Sequence, residues 1–115
     1  MARLTNLTQN RLLTENLHVA RTLRERTVGL LGKSSLPTDE MLWILRCNSI
    51  HTFFMKFSID CIFINKQMLV CAIRRNIRPW RLVLPVFRAQ SVIEMSAGQA
   101  HQLNLQLGDQ LHVGH

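Results

Sequence analysis

Four polar residues stand out for the company they keep: His51, Thr52, Asp60 and Glu94 are each embedded in apolar sequence. A polar group taken out of water needs a hydrogen bond or a countercharge. Imidazole plus two carboxylates is a competent ligand set, so His51, Asp60 and Glu94 converging at one end of a sheet would hold a small polar ligand or a metal ion. With a metal-activated water the same set reads as a metal-dependent hydrolase. The structural alternative pairs Asp60 with an arginine, lets Glu94 satisfy neighbours at a strand end, and leaves His51 at a turn. Ser58 with His51 and Asp60 has the residue types of a nucleophilic triad, but no G-x-S-x-G elbow surrounds it. Cys47 and His51 lie four apart, which suits a thiol and its base only on a helix, and Asn48-Ser49 interrupts one. These patterns lean towards a non-enzymatic module with no cofactor.

The second set is basic. Arg74, Arg75, Arg78, Arg81 and Arg88 crowd one stretch with no acid among them, and Pro79-Trp80 places an aromatic in their midst. Guanidinium forks match phosphate, and an indole offers a stacking face, so single-stranded nucleic acid or another polyanion is the expected ligand of such a surface. The formal net charge of +7 adds long-range attraction. No RNP aromatic pair, GXXG loop or basic recognition helix accompanies it. A solvated basic loop, with Trp80 anchoring it to the core, is the plain alternative, and Trp43, Phe53, Phe54 and Met55 read as core.

With 115 residues, 47% hydrophobic and 18% charged, the chain can bury one core, and we expect a single domain over residues 1–115 with residues 1–10 as a loosely ordered extension. The first twenty residues lack the unbroken apolar run of a signal peptide, and no later stretch could span a bilayer. Cys47, Cys61 and Cys71 are odd in number and form no C-x-x-C pair, which fits the reducing cytoplasm, with Cys61 and Cys71 buried and Cys47 the more reactive thiol. Their spacing with His51 matches no standard zinc knuckle.

To position these groups the chain must form strands. Residues 11–20 read as the first. Thr22-x-x-Glu25 is a capping box that should open a short helix ending at Gly29 to Gly32. Residues 41–46 and 53–55 are apolar and predict two strands or one bent strand. Residues 59–64 and 68–73, joined by Asn65-Lys66-Gln67, predict a hairpin whose strands are apolar at both parities and therefore covered on both faces. Residues 91–95 predict another strand, Ser96-Ala97-Gly98-Gln99 a second capping box with a helix of two turns, and residues 110–113 a last strand after Leu107-Gly108-Asp109. The sum is an α+β domain: a β-rich antiparallel sheet or partly closed barrel with two short helices.

Arg26-x-x-Gly29-Leu30-Leu31-Gly32-Lys33, the block from His51 to Phe63 including Phe54-Met55-Lys56, Val92-Ile93-Glu94-Met95-Ser96-Ala97-Gly98, and Leu107-Gly108-Asp109 occur in an order seen in one prokaryotic family. The chain resembles Domain of Unknown Function one-nine-two over about residues 13–113. The resemblance implies a small β-rich domain and no particular activity. We therefore expect recognition of a small polar or anionic ligand, or of a protein partner, through His51, Thr52, Asp60 and Glu94 edged by Arg78. The alternative is nucleic-acid or polyanion binding through Arg74, Arg75, Arg78, Trp80, Arg81 and Arg88, and neither reading involves a membrane.

Overall fold

The computed structural model describes residues 2–22, 25, 30 and 33–114. Among them the order is β1 (Ala2–Asn6), β2 (Arg11–Ala20), β3 (Glu40–Leu45), β4 (Ile50–His51), β5 (Ile59–Ile64), β6 (Val70–Ile77), β7 (Leu82–Val83), β8 (Ser91–Ser96), α1 (Gln99–Gln102) and β9 (Leu111–Gly114). Seven strands form one sheet in the order β6-β5-β8-β3-β2-β1-β9, while β4 and β7 make a separate pair.

The expected hairpin is β5–β6. Asn65 shapes its turn from its own side chain: Oδ1 accepts from the amides of Gln67 at 2.9 Å and Leu69 at 3.0 Å. All six residues of β5 are buried. Ile62 and Ile64 face one apolar cluster with Leu4, Leu17, Met41, Ile93 and Met95. Ile59, Cys61 and Phe63 face a second, with Ile44, Met55, Val83 and Val92. The two-faced apolar pattern thus has its expected cause, a central strand covered on both sides.

The sheet is not wholly antiparallel. β2 and β3 run parallel, paired from Asn16↔Glu40 to Ala20↔Ile44, while the other neighbours in the sheet are antiparallel. Parallel neighbours need a long crossover, and residues 21–39 supply it. The sheet curls into a half-barrel, and its outer strands approach where the Leu111 amide donates to Met68 O and the Val70 amide to Asp109 O, both at 2.9 Å.

Residues 1–10 are not a loose extension. Residues 2–6 are β1, an inner strand between β2 and β9, with Leu4 and Asn6 fully buried. Asn6 Nδ2 donates to Asp109 Oδ2 at 2.8 Å, and the Gln106 amide donates to the same oxygen at 2.9 Å. One carboxylate therefore ties the start of the chain to the Leu107-Gly108-Asp109 turn, and Gly108, at φ 87°, gives that turn its left-handed step.

The capping box at Thr22 is formed: Glu25 N donates to Thr22 Oγ1 at 3.1 Å, and Thr22 N to Glu25 Oε1 at 3.0 Å. Those bonds hold the Glu25 carboxyl below its ordinary range. The helix expected to follow, ending at Gly29 to Gly32, lies outside the described residues. The second box does not form. Ser96 belongs to β8, Gly98 is the N-cap at φ 93° with no side-chain cap, and α1 is a single turn rather than two. Residues 53–55 form no strand, because Phe54 has φ 66° and the chain turns there.

Candidate functional site

Asp60 and Glu94 do not meet. β5 and β8 pair with Asp60 opposite Met95 and Cys61 opposite Glu94. Successive side chains on a strand point to opposite faces, so the two carboxyls lie on opposite sides of the sheet. His51 is exposed on the small β4–β7 pair. No group of three His, Cys, Asp or Glu suited to a metal ion occurs among the described residues.

Asp60 is fully buried, and its partners are backbone amides, not an arginine: Asn76 donates to Oδ1 at 2.8 Å, and Gly98 and Ala100 to Oδ2 at 3.0 and 2.9 Å. It performs the capping that Ser96 was expected to perform, from a different strand, and an anion there also suits the amino end of α1.

Glu94 is the opposite case. It is buried between Leu42 of β3 and Cys61 of β5 in register, and no hydrogen bond or ion pair reaches its carboxyl among the described residues. Burial alone pushes its pKa up to about 7. Burial also raises the Cys61 thiol well above its ordinary value, and the Glu94 and Asp60 charges push it the same way. Cys61 is therefore a structural hydrophobe, as its sequence setting implies.

Thr52 has a role that its residue type did not disclose. Its Oγ1 donates to Arg78 O at 2.5 Å and accepts from the Arg81 amide at 2.9 Å. Its own amide donates to Arg81 O at 2.8 Å, and the Trp80 amide donates to Thr52 O at 2.9 Å. This buried threonine staples residues 78–81 onto residues 51–55.

The staple displays a row of rings. His51 stacks on Phe53 with centroids 4.9 Å apart, Phe53 on Trp80 at 6.0 Å, and Trp80 meets Phe54 at 4.6 Å. Trp80 is 57% exposed and Phe54 68%, so neither belongs to the core. Both hold left-handed backbone, φ 65° and 66°, a costly conformation for a bulky side chain and one that collects at functional sites. Trp43 and Phe53 are only partly buried; Met55 alone of the four aromatic and thioether residues named above is fully inside. Trp43 packs against the first cluster and donates Nε1–H to Ser91 Oγ at 2.9 Å.

Arg78, Arg81 and Lys56 are exposed on the two segments that carry these rings. Arg74, Arg75 and Arg88 are exposed too, but line a separate groove beside β6. None of the five arginines between 74 and 88 enters an ion pair among the described residues, where the salt bridges are Arg3–Glu15, His18–Glu40 and Lys33–Glu40. The cause is in the sequence: no acid occurs between Asp60 and Glu94.

Two solved structures share this fold. A protein of unknown function from Novosphingobium aromaticivorans superposes with TM-score 0.82 at 23% identity, covering 96% of this chain and 82% of that one. A chain from Sinorhizobium meliloti gives TM-score 0.82 at 18% identity, over 97% and 91%. In sequence, the UPF0127 protein of Thermococcus sibiricus is 34% identical over 113 residues, 94% of this chain and 72% of its own length. That of Pyrococcus horikoshii is 33% identical over 100 residues, 83% and 84%. The profile of the DUF192 family, described as uncharacterized ACR, matches residues 5–113, and the chain belongs to that family of unknown function.

Proposed function

We propose that this protein is a non-enzymatic module that binds single-stranded nucleic acid on the face made by residues 51–56 and 78–82. The observation that carries the reading is the pair Phe54 and Trp80: two exposed rings, 4.6 Å apart, both in left-handed backbone, with the buried Thr52 bonded to Arg78 and Arg81 around Trp80 and to the Met55 amide beside Phe54. A fold that maintains such strain on water-exposed aromatics keeps them for a ligand with π-faces. Arg78, Arg81 and Lys56 supply the countercharge to a phosphate backbone, and the excess of seven positive charges steers it in. Nothing in the set His51, Asp60 and Glu94 supports the small-ligand or hydrolase readings, because one carboxyl is saturated by amides and the other faces away from it. The odd number of cysteines, with no C-x-x-C pair, supports a reducing, cytoplasmic setting.

The test is fluorescence anisotropy of labelled oligo(dT) and oligo(U), titrated at rising salt. Affinity should fall linearly on logarithmic axes, with a slope of about −0.7 per phosphate neutralised. Trp80→Ala should weaken binding by about 1 to 3 kcal/mol, the usual worth of one stacked base. Arg78→Ala with Arg81→Ala should reduce the salt slope by about 1 to 2. Binding unchanged by Trp80→Ala, or absent at low salt, refutes the reading.

A further inference from the structure

A second basic site lies apart from the aromatic row. β6 is an outer strand, paired with β5 on one side only. At its start the other side is closed by the contacts of Val70 with Gly108 and Asp109. From residue 71 onward no strand among the described residues lies against that side, and an open groove of about 420 Å³ runs along residues 71–75. One wall is Val86 and Arg88, and the other is residues 105–107. The walls come from opposite faces of the sheet, since Val86 packs on the cluster of Cys61 and Phe63, and Leu105 on the cluster of Ile62 and Ile64.

The chemistry of the lining is one-sided. Arg74, Arg75 and Arg88 contribute three exposed guanidiniums, and among the described residues no acid lines the groove and none of the three is ion-paired. Arg88 and Arg74 lie close enough to Cys71 for their charges to lower its thiol pKa against the larger effect of burial. Between the charges lie the apolar surfaces of Ala72, Val86, Leu105 and Leu107, with the Gln106 amide at the rim. Clustered guanidiniums beside an apolar wall suit a dianion joined to a flat organic body, and the volume is in the range of small-molecule sites.

We infer that this groove binds a phosphate-bearing ligand of nucleotide size, its phosphates on Arg74 and Arg88, which share the Val86 side of the strand, with Arg75 on the opposite side and the organic part between Val86 and Leu105. Two sources share that chemistry: a free nucleotide, and the phosphorylated end of a nucleic-acid strand whose body lies on the Trp80 face. The site stands on residues that the aromatic row does not use.

ADP is the first probe, titrated by calorimetry and by amide chemical-shift mapping on labelled protein. The second is oligo(dT) with and without a 5′-phosphate. Saturable ADP binding is expected, with shifts concentrated at residues 71–75, 88 and 105–107. Arg88→Gln should weaken it about tenfold, as loss of one charged partner of a phosphate does. Gln106→Trp, at an exposed turn position, should fill the groove and abolish it. Trp80→Ala should leave ADP affinity within about twofold, because the two sites share no contact, and additivity holds for such sites. If the 5′-phosphate strengthens oligonucleotide binding and Arg88→Gln removes that gain, the strand end is the source; tighter ADP binding with no such gain points to the free nucleotide. The inference is overturned if neither probe saturates, if shifts map elsewhere, or if Arg88→Gln and Gln106→Trp leave both affinities unchanged. Loss on Trp80→Ala alone would keep the nucleic-acid reading and remove this one.

Discussion

Replacing Glu94 by Gln isolates the cost of a buried carboxylate. In the unfolded chain this carboxyl titrates near 4.5, and in the folded protein burial moves it to about 7. The folded state therefore holds its proton more tightly, and unfolding releases it between those two values. Stability is unaffected by Glu94 below about pH 4.5, falls as pH rises towards 7, and levels off above it. Each pKa unit is worth about 1.4 kcal/mol, so the full loss is about 3 kcal/mol. Glutamine keeps the shape and polarity and cannot ionise. The variant should match the parent near pH 4.5 and exceed it by about 3 kcal/mol near pH 8.5, which for a domain of this size is a gain of roughly 10 °C in Tm. Urea unfolding across that range, with both proteins in the same buffers, measures the difference directly. A difference that stays constant with pH would refute the reasoning, since it would mean that the folded Glu94 titrates as it does in the unfolded chain.

Asp60→Asn keeps the size but only one acceptor oxygen, so its NH2 must face either the Asn76 amide or the amides of Gly98 and Ala100, and the charge is lost; a loss of about 3 kcal/mol by urea unfolding is expected, with wild-type-like stability refuting the need for a carboxylate there. Leu4→Ala should cost about 3 kcal/mol by the same measurement, as for any well-packed core leucine, whereas a loose N-terminal extension would tolerate it. Cys61 should resist iodoacetamide in the native protein at neutral pH and react only on unfolding, read by mass spectrometry of the digested chain.

Much of this architecture was legible because period and turn chemistry are local. The hairpin around Asn65 followed from two apolar runs and an Asx turn, and the capping box at Thr22 from two residues three apart. β1 escaped detection because Thr5 and Asn6 make it look polar, although Asn6 is buried against Asp109, a partner 103 residues away. The parallel β2–β3 pair was equally hidden, since the direction of pairing depends on where a crossover returns the chain. The unpaired arginines were foreseeable from a stretch without acids, but their division between an aromatic face and a groove was not.

Residue types alone determined that the chain would be strand-rich, basic, and burdened with a few buried acids, because hydrophobic period and net charge are properties of the string. Which acid would find partners was decided only in three dimensions. Asp60 and Glu94 are both carboxyls among hydrophobes, yet the register of β5 against β8 sends one to the amides of Asn76, Gly98 and Ala100 and leaves the other against Leu42 and Cys61. Register is a relation between distant segments, and a shift of one residue between β5 and β8 would bring the two carboxyls to the same face. Phe54 and Trp80 follow the same logic: apolar in type, they stand in water where Thr52 turns its own segment and bonds residues 78–81, distant in sequence, onto it.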